Sequence, residues 1–429
     1  MKEYIISAGY NHSSFVKYSF STLKVPAVLL LLSAGLSPAA AQDAAVAPKP
    51  ATYADTAKKN FIRTWYAVKP TNDPNIFDTL TSLQHARMNT QYFDGLGRPI
   101  QTVVKQGSLV TGGTARDLVA AHVYDSLGRE ARQYLSFAAN NAGGNTALSN
   151  GLFKYNPFYQ QEAFYSDGNS PIAGQSEVFF YGKTEYEASP LNRVKRTYAP
   201  GNSWVSGSGK GVKIEYWANT ITDSIYIWKV ANGPFGSLGV CDTAGLYLPA
   251  TLYKTVTADE NDNQVIEFKD RNGLVILKKV QLTAGRDNGS GKGYTGWLCT
   301  YYIYDDLDRL RVVIQPRGVE LLQANNWNIA SLSGHILNEQ CFRYEYDAAG
   351  RMIIKKIPGA GQIWMTYDAR NRLAMVQDSN MRAVSKWQIT LYDNLNRPVK
   401  TGVWNNGNDL TYHHPRADTA VNYPFSTEP

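Results

Sequence analysis

A six-residue unit recurs along the chain and limits strongly what the chain can fold into. It consists of an aromatic residue, Asp, two variable residues, then Gly, Asn or Asp, and finally Arg. Gly, Asn and Asp tolerate a left-handed backbone, so the fifth position predicts a tight turn with positive φ. Short apolar stretches flank these turns, and each unit therefore predicts a β-hairpin. The acid, the left-handed residue and the Arg of the complete copies are Asp94, Gly97 and Arg98; Asp125, Gly128 and Arg129; Asp305, Asp308 and Arg309; Asp347, Gly350 and Arg351; Asp368, Asn371 and Arg372; and Asp393, Asn396 and Arg397.

These turn residues are the candidate site residues, and the pattern favours a structural role for them. A degenerate copy ends in Asn192 and Arg193, and another spans 268–273. The Asp side chain can accept hydrogen bonds from turn N–H groups, and Arg can add a charge-assisted bond. A catalytic pair is used once in a chain, whereas this pair recurs. We therefore predict no catalytic residue, cofactor or metal ligand among them, and no enzyme.

The spacing of the units predicts how the hairpins assemble. Successive Arg residues lie 21 residues apart from 351 to 372 and 25 apart from 372 to 397, which fits one hairpin per repeat. Hairpins of this size cannot bury a core alone and must stack on their neighbours. We predict an all-β fold of stacked β-hairpins in a curved, spiralling sheet. One or two short helices are expected, mainly within 317–340, with Val319–Asn325 as the best candidate.

The recurring unit resembles the YD repeat of RHS and teneurin-like proteins. The resemblance runs from about residue 61 to the C-terminus. The stretches Lys154–Pro157, Glu187–Arg193 and Tyr198–Gly201 resemble the uncharacterised N-terminal region of bacterial secreted RHS proteins. In that family the hairpins close into a hollow shell. The resemblance implies that this chain is part of such a shell.

The resemblance also implies a function and a partner. RHS shells encapsulate or present a C-terminal effector in competition between bacteria. The closing motif and the effector of the family are not found in this sequence, so a downstream repeat or effector polypeptide is the expected partner. The alternative is an extracellular or cell-surface module that binds glycans or other cells through aromatic side chains. Its candidates are Trp204, Trp217, Trp228, Trp327, Trp364, Trp387 and Trp404.

The chain divides into segments of different composition. Residues 1–41 are predicted to be a secretory signal peptide, because an apolar run too short to span a bilayer precedes Ala39–Ala41. Residues 42–60 form an Ala/Pro-rich linker that is expected to be disordered. An N-terminal RHS-associated domain over 61–200, a strand series with a helical insert over 201–340, dense repeats over 341–415 and a polar tail over 416–429 follow. Secretion to the periplasm, cell surface or medium is expected, with no membrane span.

Two motifs have both a functional and a structural interpretation. The stretch Gly285–Lys292 is glycine-rich like a phosphate-binding loop, but its glycine spacing and the residue after Lys292 are wrong, which favours a flexible hairpin loop. The stretch Asp259–Asn263 alternates oxygen-bearing side chains as calcium loops do. It lacks the Gly and the bidentate Glu of such loops, so an acidic turn is favoured.

The remaining candidates depend on scarce residue types. His413 and His414 are adjacent, so on a strand they would point to opposite faces and could not easily bind one metal together. The three cysteines, at 241, 299 and 341, are too few for a disulfide scaffold and are interpreted as buried small side chains, with one disulfide as the alternative. A net charge of +7 without a Lys/Arg cluster does not favour a nucleic-acid partner.

Overall fold

The computed structural model describes the backbone of residues 4–9 and 12–19 and, with side chains, residues 46–54, 59–70, 86–108, 115–330 and 334–425. The chain folds into two compact units. One comprises residues 1–214 with 259–261, and the other comprises 215–258 with 262–429.

The first unit is an antiparallel β-structure with one α-helix. Strands β1 to β6 follow one another as antiparallel neighbours. Strand β6 then pairs with both β7 and β8, β7 pairs with β9, and β9 pairs with β10. The elements are β1 (Tyr4–Gly9), β2 (His12–Ser19), β3 (Asn60–Ala67), β4 (Ala86–Phe93), β5 (Pro99–Val104), β6 (Leu118–Val123), β7 (Arg132–Tyr134), β8 (Phe137–Ala138), α1 (Pro157–Ser166), β9 (Tyr181–Tyr186) and β10 (Val194–Tyr198), and β11 (Val212–Ala218) begins here.

The second unit is a longer antiparallel meander. From β14 to β24 each strand pairs with the next in sequence, whereas β12 and β13 form a separate hairpin. The strands are β12 (Tyr226–Ala231), β13 (Val240–Leu246), β14 (Tyr253–Ala258), β15 (Gln264–Lys269), β16 (Val275–Gln281), β17 (Trp297–Tyr304), β18 (Leu310–Ile314), β19 (Cys341–Tyr346), β20 (Met352–Lys356), β21 (Gln362–Tyr367), β22 (Leu373–Gln377), β23 (Lys386–Tyr392) and β24 (Pro398–Asn405).

Alternation of side chains across the strands places the cores. In β15, Ile266 and Phe268 are fully buried, while Val265, Glu267 and Lys269 beside them are more exposed. Leu277 and Tyr301 of the neighbouring strands join the same core. Burying each such side chain stabilises the fold by about 1.5–3 kcal/mol. The period of two in burial is the physical reason that these segments are strands. The all-β fold of stacked hairpins is thus confirmed.

The helix content exceeds the prediction of one or two short helices. Helix α2 (Pro316–Ala324) matches the expected Val319–Asn325 closely, and α3 (His335–Glu339) lies within 317–340. Helices α1, α4 (Ser379–Ala383) and α5 (Leu410–Ala417) lie elsewhere, so the confinement of helix to 317–340 is wrong. Their start signals are local: α1 has Pro at its first turn, and Asp378 and Asp409 accept N-cap hydrogen bonds.

The structure describes residues 46–54 of the segment that is expected to be a disordered linker. These residues lack regular structure but contact the folded chain. The Ala47 N–H donates to the Tyr181 hydroxyl at 2.9 Å, and the Tyr53 ring packs edge-on against Phe153. These contacts anchor a segment whose Ala/Pro composition favours disorder. The signal-peptide apolar run and its cleavage site lie outside the described residues, and β1 and β2 precede them.

The sequence of the last hairpin predicts an exposed strand edge with Trp387 and Trp404 exposed, and this prediction is wrong for Trp387. Leu410 is buried beside Ile353 and Ile354, and Tyr423 packs on the cluster that contains Trp387. Trp387, expected to be exposed, is 0% exposed. The predicted exposed edge holds only for β24, seven of whose eight residues are exposed.

Candidate functional site

Each complete unit forms the same tight turn. In the fourth copy, the Asp347 N–H donates to Arg351 O and the Gly350 N–H donates to Asp347 O, both at 3.0 Å. Asp347 Oδ1 accepts the Arg351 N–H at 2.9 Å, and Oδ2 accepts Arg351 Nε–H at 2.7 Å. The other complete copies repeat these four bonds at Asp94, Asp125, Asp305, Asp368 and Asp393. The acid and the Arg therefore close the turn from both ends.

The fifth residue of every copy has the positive φ that the sequence predicts. The values are 77° at Gly97 and Gly128, 58° at Asp308, 79° at Gly350, 59° at Asn371 and 62° at Asn396, and Asn192 of the degenerate copy has 51°. Only residues that tolerate this region occupy the position, because a β-branched side chain there is strongly disfavoured.

The turn contacts hold the acids in the charged state. Burial of Asp347 opposes the charge, but the backbone and side-chain hydrogen bonds from Arg351 outweigh it and lower the pKa of the carboxyl below 3.8. For Asp393, which is less buried, the backbone N–H of Arg397 is the largest cause of the lowered pKa. The turns are thus braced at any pH well above 4.

The Arg of five of the six complete units also binds the next hairpin, and we call these contacts the Arg–Tyr ladder. The guanidinium lies over the aromatic ring that begins the following unit, and four of the five tyrosine hydroxyls donate back to the carbonyl of the residue after that Arg. The distances from the guanidinium carbon to the ring centroid are 4.5 Å for Arg98–Tyr124, 4.7 Å for Arg129–Tyr186, 5.2 Å for Arg309–Tyr346, 5.3 Å for Arg351–Tyr367 and 4.7 Å for Arg372–Tyr392.

Asn at the left-handed position has a second use that sequence reasoning missed. Arg351 donates to Asn371 Oδ1 of the next turn at 2.8 Å, and Arg372 donates to Asn396 Oδ1 at 3.2 Å. Asn therefore tolerates the positive φ and also accepts a bond from the preceding hairpin. Glycine satisfies only the first requirement.

The degenerate copies show which residues of the unit can change while the turn is kept. The turn before Arg193 is two residues longer, and Glu187 replaces Asp as the acid, with Oε2 2.8 Å from the Arg193 guanidinium. The bonds from Arg193 and Ser189 lower the pKa of Glu187 to about 2. At 268–273, Asp270 makes the turn bonds but Leu274 stands in place of Arg. Glu187 could have been found by allowing a longer acid-to-Arg spacing.

A buried cluster of charged side chains lies in the second unit. The Lys254 amine donates to Asp223 Oδ1 at 2.9 Å and to Asp287 Oδ2 at 2.6 Å, and all three side chains are 0% exposed. Sequence reasoning missed this Lys–Asp cluster (Asp223, Lys254 and Asp287). A signal existed, because Lys254 takes an inward position in the alternation of β14 with Val256 and Ala258.

This cluster corrects one interpretation. The stretch Gly285–Lys292 was expected to be a flexible hairpin loop. Instead, Asp287 at its centre is 2% exposed and ties the loop to Lys254, and its N–H donates to Gln264 Oε1 at 2.7 Å. The loop is therefore fixed to the core through Asp287.

The acidic turn, the two adjacent His residues and the cysteines lie in surroundings that favour a structural interpretation. Asp259 Oδ1 accepts the Asn261 N–H, as in a simple acidic turn. His413 and His414 lie on helix α5, not on a strand. No group of three or more His, Cys, Asp or Glu side chains in the described ranges could hold a metal ion. The three cysteines are free and buried, and burial raises the pKa of Cys241 and Cys299 to about 12.

The tryptophans behind the glycan-binding alternative are mostly packed. Trp217, Trp228 and Trp327 pack on the core of the second unit. Trp364, Trp387 and Trp404 belong to the cluster near the last hairpin. Trp204, by contrast, is exposed at 42%. In the part of the chain with described coordinates, no helix is long and apolar enough to cross a membrane.

Comparison with known proteins gives one family and a set of larger structures. Residues 63–218 match a family described as a domain of unknown function, DUF6443. No curated protein matches the chain. The crystal structure of TcdB2-TccC3-Cdc42 is similar over 80% of this chain and 13% of that chain, at 16% identity and a TM-score of 0.45. The Photorhabdus luminescens Tc holotoxin pore with a mutated TccC3 is similar over 82% of this chain and 14% of that chain, at 15% identity and a TM-score of 0.45. The chain thus spans about one seventh of the length of these larger chains.

Proposed function

We propose that this chain is a non-catalytic structural part of a secreted RHS shell that encapsulates or presents a C-terminal effector. The observation that supports it is the Arg–Tyr ladder, in which the same contacts join one hairpin to the next in both units. Each hairpin in the ladder therefore contacts the hairpin before it through its aromatic ring and the hairpin after it through its Arg. A chain built in this way extends a wall by repetition.

The chemistry of the repeated groups supports a scaffold rather than an active site. The Asp and Arg side chains bind each other in the turn at every complete copy, and in five of the six copies the Arg also lies over an aromatic ring of the next hairpin. Their hydrogen bonds keep the carboxyls charged and oriented, with a lowered pKa that is unsuited to general-base catalysis near neutral pH.

The last strand offers a place for the proposed partner. Strand β24 pairs with β23, and no other pairing of β24 is found among the described residues. Its exposed residues include Val399 and Val403, at 52% and 63%. An exposed strand edge accepts a further strand by backbone hydrogen bonding. A downstream hairpin that begins with Tyr could continue the array there.

Protection of an effector tests the proposal. The chain would be co-expressed with the polypeptide encoded downstream that continues the repeats, and the complex would be treated with protease under native conditions. We expect the C-terminal segment of that polypeptide to resist cleavage in the complex and to be cleaved without this chain. A chain with Arg309→Met and Arg351→Met serves as the weakened control. Equal cleavage with and without this chain would refute a shell function.

A further inference from the structure

The Lys–Asp cluster brings an amine and two carboxyl groups together away from water. The Lys254 amine contacts Asp223 Oδ1 at 2.9 Å, Asp223 Oδ2 at 3.2 Å and Asp287 Oδ2 at 2.6 Å. It lies 5.3 Å from the centroid of Phe268 and 5.8 Å from that of Trp217. The site is therefore a dry pocket in which a nucleophile touches two acyl groups.

Burial makes the separated charges expensive. Moving a carboxylate and an ammonium out of water costs several kcal/mol for each ion, and their attraction repays this only in part. A neutral amide made from the same atoms would not carry that cost. Fixed geometry also replaces a bimolecular encounter, and such proximity gives effective concentrations of about 10⁵ M or more in favourable cases.

The two carboxyl groups differ in a way that assigns their roles. Asp287 Oδ1 accepts the backbone N–H groups of Gly289 at 2.9 Å and Gly291 at 3.3 Å. Asp287 Oδ2 contacts the Lys254 amine. Oδ1 therefore lies where two N–H donors can stabilise a developing oxyanion, and Oδ2 is placed to leave.

Asp223 is held differently, because each of its two oxygens accepts one backbone N–H. Its Oδ2 accepts the Thr220 N–H at 2.8 Å in a capping box, and its Oδ1 accepts the Lys292 N–H at 3.2 Å. With both oxygens also near the Lys254 amine, Asp223 can accept a proton from it without moving. Lys279 does not compete as the nucleophile, because its amine donates to the carbonyls of Lys292 and Gly293.

We propose that Lys254 and Asp287 form an intramolecular isopeptide bond, with Asp223 as the proton acceptor. One proton of the Lys254 ammonium passes by way of Asp223 to Oδ2 of Asp287, and the free amine then attacks Cγ of the resulting carboxylic acid. The bond from Nζ to Cγ forms, and the bond from Cγ to Oδ2 breaks. Oδ2 leaves as water with two of the three ammonium protons, one of them returned by Asp223. The third proton stays on the amide nitrogen, so no oxidant or co-reactant is needed.

The mass of the intact chain tests this directly. The purified, folded protein is denatured and weighed, and we expect it to be lighter than its sequence by one water molecule. Digestion should give a branched peptide that joins the segment containing Lys254 to the segment containing Asp287. A full-sequence mass for the folded wild-type chain would overturn the proposal, whatever the variants do. A branch at Asp223 would overturn the assignment of the acyl group.

Variants identify the reacting groups. Lys254→Arg removes the nucleophile and Asp287→Ala removes the acyl group, and both should restore the full mass calculated for the variant. The matched control is Lys278→Arg, since Lys278 is a half-exposed lysine whose amine pairs with Glu267. This control should keep the loss of one water. If Lys254→Arg or Asp287→Ala still loses a water, the proposed bond is wrong.

Discussion

The Arg351 guanidinium lies 5.3 Å from the ring centroid of Tyr367, and the Tyr367 hydroxyl donates to Met352 O at 2.9 Å. The aromatic residue that begins one repeat is therefore held by the Arg that ends the previous one. Each repeat thus forms its own turn and also supplies one side of the contact between two neighbouring hairpins. Stability along the array then depends on the interfaces between neighbours.

The contribution of this contact to stability can be measured by comparing two Arg residues that occupy the same position in the repeat. The Arg372 side chain is 7% exposed and bonds Asp368, Asn396 and Asn422. Arg397 is 61% exposed and bonds Asp393. Arg372→Met leaves the buried Asp368 carboxylate without its partner, which costs about 3 kcal/mol. We expect Arg397→Met to change the urea unfolding midpoint little. Equal midpoint shifts for the two variants would show that the Arg acts within its own turn alone.

The left-handed position predicts a second matched pair. Gly350 has φ of +79° and no atom within 4 Å of the place where a Cβ would stand, so any cost of substitution comes from the backbone. Gly350→Val should cost about 1–3 kcal/mol of the free energy of unfolding. Ala349→Val in the same turn should cost much less, and Gly350→Asn should be tolerated, since Asn371 and Asn396 occupy that position. Equal melting temperatures for the two Val variants would contradict the turn assignment.

The sequence predicted the local part of this structure well. The turn residues have a strict local reason, the positive φ at one position, so residues such as Gly350 and Asn371 could be identified without coordinates. The strand series over 201–340 was predicted from local sequence as well, and β15 and β17 show its period-two burial. Helix α2 overlaps the predicted Val319–Asn325.

The non-local part could not be predicted in the same way. Contacts from Arg351 to Tyr367 or from Lys254 to Asp287 depend on which hairpins and loops become neighbours, which spacing alone does not specify. Helix α5 was missed because its polar sequence forms a helix by packing Leu410 and His413 on the sheet, where tertiary burial outweighs weak intrinsic propensity. Anchoring of residues 46–54 likewise depends on contacts with distant residues, such as Ala47 with Tyr181 and Tyr53 with Phe153.

Secretion is tested at the N-terminus. The small residues Ala39–Ala41 after a short apolar run predict cleavage before Gln42. Mass spectrometry of chain recovered from the periplasm or the medium should give an N-terminus at Gln42. Replacing Ala39 and Ala41 with bulky residues should leave uncleaved precursor. Recovery of exported wild-type protein with Met1 intact would contradict the prediction.

His413 predicts a pH dependence of stability. The ring lies between the Tyr423 hydroxyl, 2.9 Å from Nδ1, and Asn406 Oδ1, 3.1 Å from Nε2. Burial, and then the charge of Arg416, lower its pKa from 6.5 to about 4, while Asp409 opposes the shift. Between about pH 4 and pH 6.5, His413 therefore binds a proton in the unfolded chain but not in the folded chain. The contribution of the neutral His413 ring to the free energy of unfolding is therefore fully present above pH 6.5. It is lost as the pH falls from 6.5 through about 4.

The measurement for His413 is urea unfolding at neutral pH and near pH 5. The free energy of unfolding should fall by up to about 1.4 kcal/mol per pH unit in this range. The carboxyls of the turns do not contribute there, because their pKa values lie below 3.8. His413→Gln, which keeps a polar group but does not titrate, should flatten the profile. An unchanged slope in this variant would assign the pH dependence to other groups.

The C-terminal segment predicts the last result, because one side chain there binds the backbone at the end of β23. Asn422 is 2% exposed, and its amide bonds both backbone groups of Tyr392 at 2.9 Å and accepts from Arg372 at 3.2 Å. Asn422→Ala leaves those partly buried backbone groups without their side-chain partner, at a cost of about 1.5 kcal/mol. Hydrogen exchange at the Tyr392 amide should therefore quicken by about tenfold or more.

Thr419→Ala is the control for this effect. The Thr419 hydroxyl is exposed and donates to the carbonyls of Pro415 and Arg416 within its own helix end. This variant should leave exchange in β23 unchanged. In the wild-type chain, amides of β23 should be as protected as those of β15, because α5 and Tyr423 cover the Trp387 cluster. Rapid exchange throughout β23 in the wild type would mean that the segment does not cap the array in solution and that the last hairpin frays.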